Sequence, residues 1–303
     1  MGKKRGRSAS QLSTLNSQLP VHRIAILGPG LIGGSIALAL RRSADSHVTL
    51  WARRPEAVRE VIAAGCADIA TADLAAAVKD ADLVVLCVPV GAMPGLAASL
   101  ANLIRSDCVV TDVGSVKATV LAGLRPVFRE RGRFVGSHPM AGSEHTGLAA
   151  ARANLFDGAR CIVTPEADTD AAALAMVCDF WKSIGCRVVE LPAAEHDECV
   201  ALVSHLPHLL AAALISTVAE RNEHAFRVVG PGFRDTTRVA AGPPAMWREI
   251  LRENSAAVLP AIDALIAKLS DFRQTLALAG DGQEIHDLLA AARSTRDRIT
   301  FPK

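Results

Sequence analysis

The chain predicts a two-part α/β protein: a parallel sheet covered by helices, followed by an all-helical segment. Three observations carry this reading. Strand and helix signals alternate from residue 21 to about residue 191, the pattern of a parallel sheet with helices on both faces. A glycine-rich turn, Gly28-Pro29-Gly30-Leu31-Ile32-Gly33, joins the first strand signal to the first helix signal. Strand signals vanish after Pro192, and long Ala/Leu-rich helices take over. The expected organisation is a basic disordered tail at 1–20, a sheet domain at 21–191 and a helical domain at 192–303.

The elements follow in order. Residues 21–27 form a short apolar run, 31–42 read as helix and 48–51 as strand. Residues 55–64 read as helix, 83–88 as a buried strand, 93–104 as helix and 108–111 as strand. A strand at 133–135 leads to His138 at a loop start. Residues 161–164 and 187–190 close the same sheet. Helices are expected at 195–221, 244–251, 254–278 and 283–298. The helix from 254 carries an apolar stripe, Val258, Ile262, Leu265, Leu269 and Phe272. A stripe that long needs a second surface, and a second copy of the chain supplies one.

Bulk properties exclude several classes. The 303 residues suit two domains at roughly 100–200 residues each. Hydrophobic content of 50% and charged content of 21% are those of a globular protein. A net charge of +2 is too small to argue for a nucleic-acid partner. The basic cluster Lys3, Lys4, Arg5 and Arg7 sits in the tail, where a nucleic-acid contact is the minor alternative. The leader lacks the apolar core of a secretory signal. No membrane span is expected, because Ser204, His205, Pro207 and His208 interrupt the Ala-rich stretch at 200–218. Seven scattered cysteines without a CxxC fit reduced thiols in the cytoplasm and no zinc site.

The glycine turn marks a Rossmann-type dinucleotide-binding domain. Gly28 permits the tight turn and Gly30 lets backbone approach a pyrophosphate. Gly33 lets the helix pack on the strand, and the helix start at Leu31 and Ile32 faces the anion. The end of the second strand sets the cofactor. NAD sites place an acid there to bind the ribose 2′-hydroxyl. This chain has Arg53 and Arg54 instead. Guanidinium recognises a 2′-phosphate with paired donors, so NADP is expected over NAD. Mixed use remains the alternative if the arginines are only solvated surface. Val88 and Pro89 end a strand on the same sheet edge, beside the nicotinamide half.

Chemistry-bearing residues cluster nearby. Asp112-Val113-Gly114-Ser115-Val116-Lys117 follows a strand and supplies a hydroxyl at Ser115. A plain helix cap is the alternative reading of that serine. His138 precedes Pro139, which biases its backbone to an extended form. A lone histidine is more often structural, but imidazole beside a cofactor site is the usual base near neutral pH. Glu144 shares the loop and either orients a cation or is simply solvated.

These segments, with Leu155-Phe156, Ser204–His208, Gly232-Phe233-Arg234-Asp235-Thr236-Thr237-Arg238 and Met246-Trp247-Arg248, resemble the prephenate/arogenate dehydrogenase family of tyrosine biosynthesis. The resemblance runs from about residue 21 to about 280. It implies oxidative decarboxylation of prephenate to 4-hydroxyphenylpyruvate, or of arogenate to tyrosine. By the same resemblance His138 is the base at the C4 hydroxyl and Ser115 positions that hydroxyl. Arg238 pairs with a substrate carboxylate, and His208 binds the side-chain end. Asp235 orients Arg238 or caps a helix. Trp247 packs at the pocket, reaches it from a neighbouring subunit, or is plain core. His205 reads as structural. A homodimer through the helical domain is expected.

No mutase segment or regulatory domain is expected at either end, which would confine tyrosine inhibition to the active site. An acid near the substrate side chain would favour arogenate, and Glu144 and Asp157 are the candidates. Two rival readings stand beside it. A 3-hydroxyacid dehydrogenase would carry a catalytic lysine on the first long helix, and residues 195–221 have none. A non-catalytic NADP sensor would need neither His138 nor Arg238.

Overall fold

The computed structural model describes residues 22–42, 46–128, 133–278, 280 and 282–299. The expected tail at 1–20 lies outside them. In the first half the elements are β1 (Arg23–Leu27), α1 (Leu31–Leu40), β2 (His47–Trp51), α2 (Pro55–Ala64), β3 (Ile69–Thr71), α3 (Leu74–Val78) and β4 (Leu83–Leu86). They continue with α4 (Met93–Leu100), β5 (Val109–Asp112), α5 (Ala118–Phe128), β6 (Arg133–Pro139), β7 (Arg160–Thr164), α6 (Ala171–Ser183) and β8 (Arg187–Glu190). The helical half holds α7 (Ala193–Val200), α8 (Leu206–Asn222), α9 (Pro231–Thr237), α10 (Pro244–Glu253), α11 (Ser255–Ala277) and α12 (Gln283–Arg298).

The eight strands run in the order β3-β2-β1-β4-β5-β6-β7-β8. Central strands such as β4, Leu83-Val84-Val85-Leu86, are buried on both faces, as a covered parallel sheet requires. Period-two alternation divides the core. Ile24 and Ile26 pack with Ile36, Leu40, Phe180 and Trp181 on one face. Ala25 and Leu27 pack with Met93, Leu100, Leu124 and Phe128 on the other. Strand order reverses between β1 and β4, and a crevice opens there beyond the strand ends, the position where such sheets bind ligands.

Several expectations needed correction. The sheet is not wholly parallel: β7 pairs antiparallel to β6. The connection between them carries only a short 3-10 turn, Leu148–Ala150, and without a crossover helix the chain returns antiparallel. β6 also runs on to Pro139, so His138 is a strand residue opposite Ile162 and not a loop start. Strand alternation then sends Ser137 and His138 to opposite faces. β3, α3, α5 and α6 have no counterpart among the expected elements. α6 had a legible start, since the Asp170 carboxylate caps it by accepting from Ala173 N at 2.8 Å.

The long helix expected at 195–221 is present as one helical run but changes register inside it. A π turn, Ala201–His205, separates α7 from α8. Pro207 has no N–H to give the carbonyl four residues back, and the ladder re-registers before it. The helical run Ala193–Val228 is long and apolar enough to cross a membrane by length and composition. It nevertheless carries the buried polar residues His196, Asp197, His205 and His208, which suits a wall of a polar site. The α11 stripe is only partly covered: Val258 is buried, while Leu269 is 52% exposed. All seven cysteines are free thiols.

Candidate active site

The crevice at the strand reversal is a cleft of about 720 Å³ lined by Gly28, Gly30, Arg53, Arg54, Val88 and Pro89 among others. Gly28 adopts a φ of +119°, which a side chain rarely tolerates. A Cβ on Gly33 would strike the Gly28 carbonyl, so the glycine lets α1 seat on the turn. A Cβ on Gly30 would meet nothing within 4 Å, which leaves an open cradle. The first turn of α1 has neither a side-chain cap nor an acid. Its free N–H groups suit a pyrophosphate. The Leu31 and Ile32 side chains pack against the core, so these two offer the ligand only backbone. Arg53 and Arg54 are exposed at the end of β2. The residues present fit a dinucleotide.

A second cavity of about 340 Å³ is lined by Ser115, His138, Glu144, His205, Arg238 and Trp247, with Ser204 and Val239 beside them. Ser115 lies in the turn between β5 and α5. That turn is pinned from two sides. Asp112 accepts from Gly114 N at 2.7 Å and pairs with the Lys117 ammonium, both fully buried. Lys117 Nζ also donates to the Ser137 carbonyl at 2.9 Å. Ser137 N returns to Asp112 Oδ1 at 3.1 Å, and Trp181 Nε1 donates to Ser137 Oγ at 2.9 Å. The ends of β5 and β6, and with them Ser115 and His138, are therefore fixed relative to each other.

His138 is the head of a chain of buried groups. Its Nδ1 lies 2.9 Å from His196 Nε2, and His196 Nδ1 lies 2.7 Å from Asp197 Oδ1. Asp197 also accepts from Lys117 N at 2.7 Å and Ala118 N at 2.9 Å. Burial holds the His138 pKa well below 6.5, and the neighbouring His196, Lys117 and His205 act in the same direction. His138 is thus neutral at pH 7, the form a base needs. The Asp197 carboxyl is raised by burial, but His196 and the two backbone donors outweigh that and lower it.

His205 accepts from Asn254 Nδ2 at 3.1 Å, and the same amide donates to the Asp197 carbonyl at 2.8 Å. Burial lowers its pKa to about 4. It is both structurally bonded and a lining residue of the cavity. His208 departs from expectation, because it is not in the lining. The Trp247 indole stacks on it at 3.6 Å and 9° and stands toward the cavity, leaving His208 Nδ1 buried without a partner. Arg238 Nη1 meets Glu144 Oε2 at 3.4 Å. Asp235 does not orient Arg238; it takes the neighbouring Arg234 Nε at 3.1 Å in an exposed pair. Asp157 bonds Arg42 at 2.9 Å, away from this cavity. Sequence reasoning missed His196, Asp197 and Asn254. The available signal was a His-Asp pair one turn into the helix after Pro192. Among the described residues no cluster could hold a metal ion.

Known proteins share this architecture. Residues 36–190 match the prephenate dehydrogenase nucleotide-binding domain, and residues 192–291 match the prephenate dehydrogenase dimerization domain. A cyclohexadienyl dehydrogenase of Zymomonas mobilis is 41% identical over 260 residues, 84% of this chain and 88% of that protein. A prephenate dehydrogenase of Bacillus subtilis is 34% identical over 91% of this chain and 76% of its own length. Among solved structures, prephenate dehydrogenase from Aquifex aeolicus, in complex with hydroxyphenyl propionate and NAD+, superposes with a TM-score of 0.85 at 33% identity. That match covers 92% of this chain and 98% of the other. Synechocystis arogenate dehydrogenase gives 0.77 at 30% identity, over 91% and 99%. With both halves matched in order and the sheet domain built to hold a nicotinamide dinucleotide, the chain belongs to the prephenate dehydrogenase family of oxidoreductases.

Proposed function

We propose that the chain oxidatively decarboxylates prephenate to 4-hydroxyphenylpyruvate with NADP, in tyrosine biosynthesis. The observation that carries this is His138: a neutral imidazole lining a cavity it shares with Ser115 and Arg238. Prephenate is a cyclohexadienol with a ring carboxylate, a pyruvyl chain and a C4 hydroxyl. The bound dinucleotide supplies the acceptor for the C4 hydride. His138 accepts the hydroxyl proton as C4–O becomes a carbonyl. Loss of carbon dioxide from C1 pushes its bonding electrons into the ring, and the resulting phenolate takes the proton back from His138. The carbon skeleton releases no net proton, so the base must hold one briefly and return it.

Ser115 orients the hydroxyl. Arg238 meets a substrate carboxylate while still holding Glu144, since guanidinium has donors enough to pair with more than one carboxylate. Glu144 is the one carboxylate in the described lining, and Arg238 already engages it. An ammonium on the substrate would lack a free acid, which favours prephenate over arogenate. Arogenate is the second reading, because one similar structure carries that name.

Arg53 and Arg54 support NADP over NAD, since they follow β2 directly where an NAD site has its acid, and the acid in the described cleft lining, Glu60, sits further on along α2. Homodimerisation through the helical half is proposed from the exposed Leu259, Ile266, Leu269 and Leu276 of α11. The reduced thiols fit a cytoplasmic enzyme. A side-by-side assay of prephenate and arogenate with NADP and NAD tests the substrate and cofactor assignments. Prephenate with NADP should give the highest kcat/KM. Failure to turn over either substrate would refute the reading.

A further inference from the structure

We infer that Asp197 and His196 are positioning residues that fix His138 as its Nδ1–H tautomer, leaving Nε2 as the acceptor for the substrate hydroxyl. This rests on the proposed function only for the identity of that hydroxyl. The tautomer itself follows from the bonding.

A carboxylate can only accept. Asp197 Oδ1 sits 2.7 Å from His196 Nδ1, so that nitrogen carries the hydrogen. A neutral His196 then has a bare Nε2. His138 Nδ1, 2.9 Å away, must donate to it. One nitrogen of His138 remains, Nε2, and it carries a lone pair. His138 lines the cavity, and the described residues give this nitrogen no partner. A cationic His196 would instead donate from Nε2 and reverse the assignment, and the spectra described below separate the two arrangements.

The groups facing His138 are few. They are His196 and Asp197 from α7, His205 from the π turn, Lys117 with Asp112 from the end of β5, and the Cys161 thiol from β7. Of these, His196 is the one with a direct ring bond. Once His138 takes a proton at Nε2, its Nδ1–H bond to His196 becomes charge-assisted, and Asp197 stabilises the cation through His196. The O–H bond breaks and an N–H bond forms at Nε2. The same proton later returns to the phenolate oxygen, so the relay ends as it began. Asp197 has a second duty. Its carboxylate takes Lys117 N and Ala118 N at the start of α5, an N-terminus where negative charge is favoured. One side chain of the helical half therefore aligns both the Ser115 turn and the base.

The test reads the tautomer directly. Imidazole 15N spectra of the intact protein near pH 7.5, with His138 assigned through His138→Asn, should show protonated Nδ1 and bare Nε2. A protonated Nε2 would overturn the inference, and no variant need fold for that result. Two substitutions add a kinetic reading. In His196→Gln the side-chain oxygen still accepts from His138 and the amide still donates to Asp197. The tautomer should persist and kcat should stay within about tenfold of wild type. His196→Leu removes the acceptor. Its kcat should fall on the order of 100-fold, within the usual range for acid–base catalysis, with KM changed less than about threefold. Wild-type kcat in His196→Leu would also overturn the inference. An Nδ1–H His138 in a protein inert toward prephenate and arogenate would sink the proposed substrate and leave the relay standing.

Discussion

Replacing Lys117 with Met should destabilise the protein sharply, because it strands Asp112. Both side chains are fully buried, and Met keeps most of the stem volume while deleting the charge. Removing one member of a buried pair costs about 3–5 kcal/mol. Asp112 still accepts from Gly114 N and Ser137 N, so the low end, about 3 kcal/mol, is expected. At roughly 2–4 °C per kcal/mol for a chain of a few hundred residues, Tm should drop by about 6–12 °C. Adding Asp112→Asn removes the stranded charge yet keeps an oxygen for the backbone donors. The double variant should regain more than half of the loss. Lys117 also helps hold the His138 pKa down, behind burial and His196. The acid limb of the kcat profile should therefore move to higher pH in Lys117→Met. Calorimetry and a pH–rate profile measure both effects. A Tm within about 2 °C of wild type would refute the reasoning, given the per-kcal scale above. So would a double variant no more stable than the single.

Three further outcomes are expected. Arg53→Asp with Arg54→Ala should convert NADP preference toward NAD. Each lost guanidinium–phosphate contact is worth about 1.5 kcal/mol at the low end of charged hydrogen bonds. The ratio of kcat/KM values should shift on the order of 100-fold, and an unchanged ratio would contradict the assignment. Acid should weaken the fold early. His205 titrates at about 4 and His138 well below 6.5, burial being the main cause in each. Both bind protons more readily when unfolded, so their contribution is complete above pH 6.5 and is lost as pH falls toward about 4; urea melts that do not change over this window would argue against it. Ile266→Glu with Leu269→Glu places charge on the exposed stripe of α11, and sedimentation should show monomer where wild type is dimeric.

The legible parts of the chain were those with strong local grammar. The glycine turn announced its own geometry, and Gly28, Gly30 and Gly33 do three different jobs. The bounds of α2 and α12 followed from Pro55 and from the periodic runs. The three-residue β3 had too few residues to alternate. The extension of β6 through His138 depends on pairing with β7, a partner more than twenty residues away. Local signals are silent about such pairing. The His138–His196–Asp197 chain is likewise non-local, joining strand to helix across the two halves. His208 was placed by family pattern, and the indole of Trp247 shields it here. Asp235 is expected to orient Arg238 or cap a helix, yet its nearer neighbour Arg234 holds it.

The central claim is that His138 accepts the substrate hydroxyl proton, and His138→Asn tests it most directly. Single-turnover kinetics should show the chemical step slowed about 100- to 10,000-fold, the span that acid–base catalysis supplies. NADP binding should be unchanged, since His138 does not line the dinucleotide cleft. Turnover retained near the wild-type rate, with the variant folded and NADP bound, would contradict the claim.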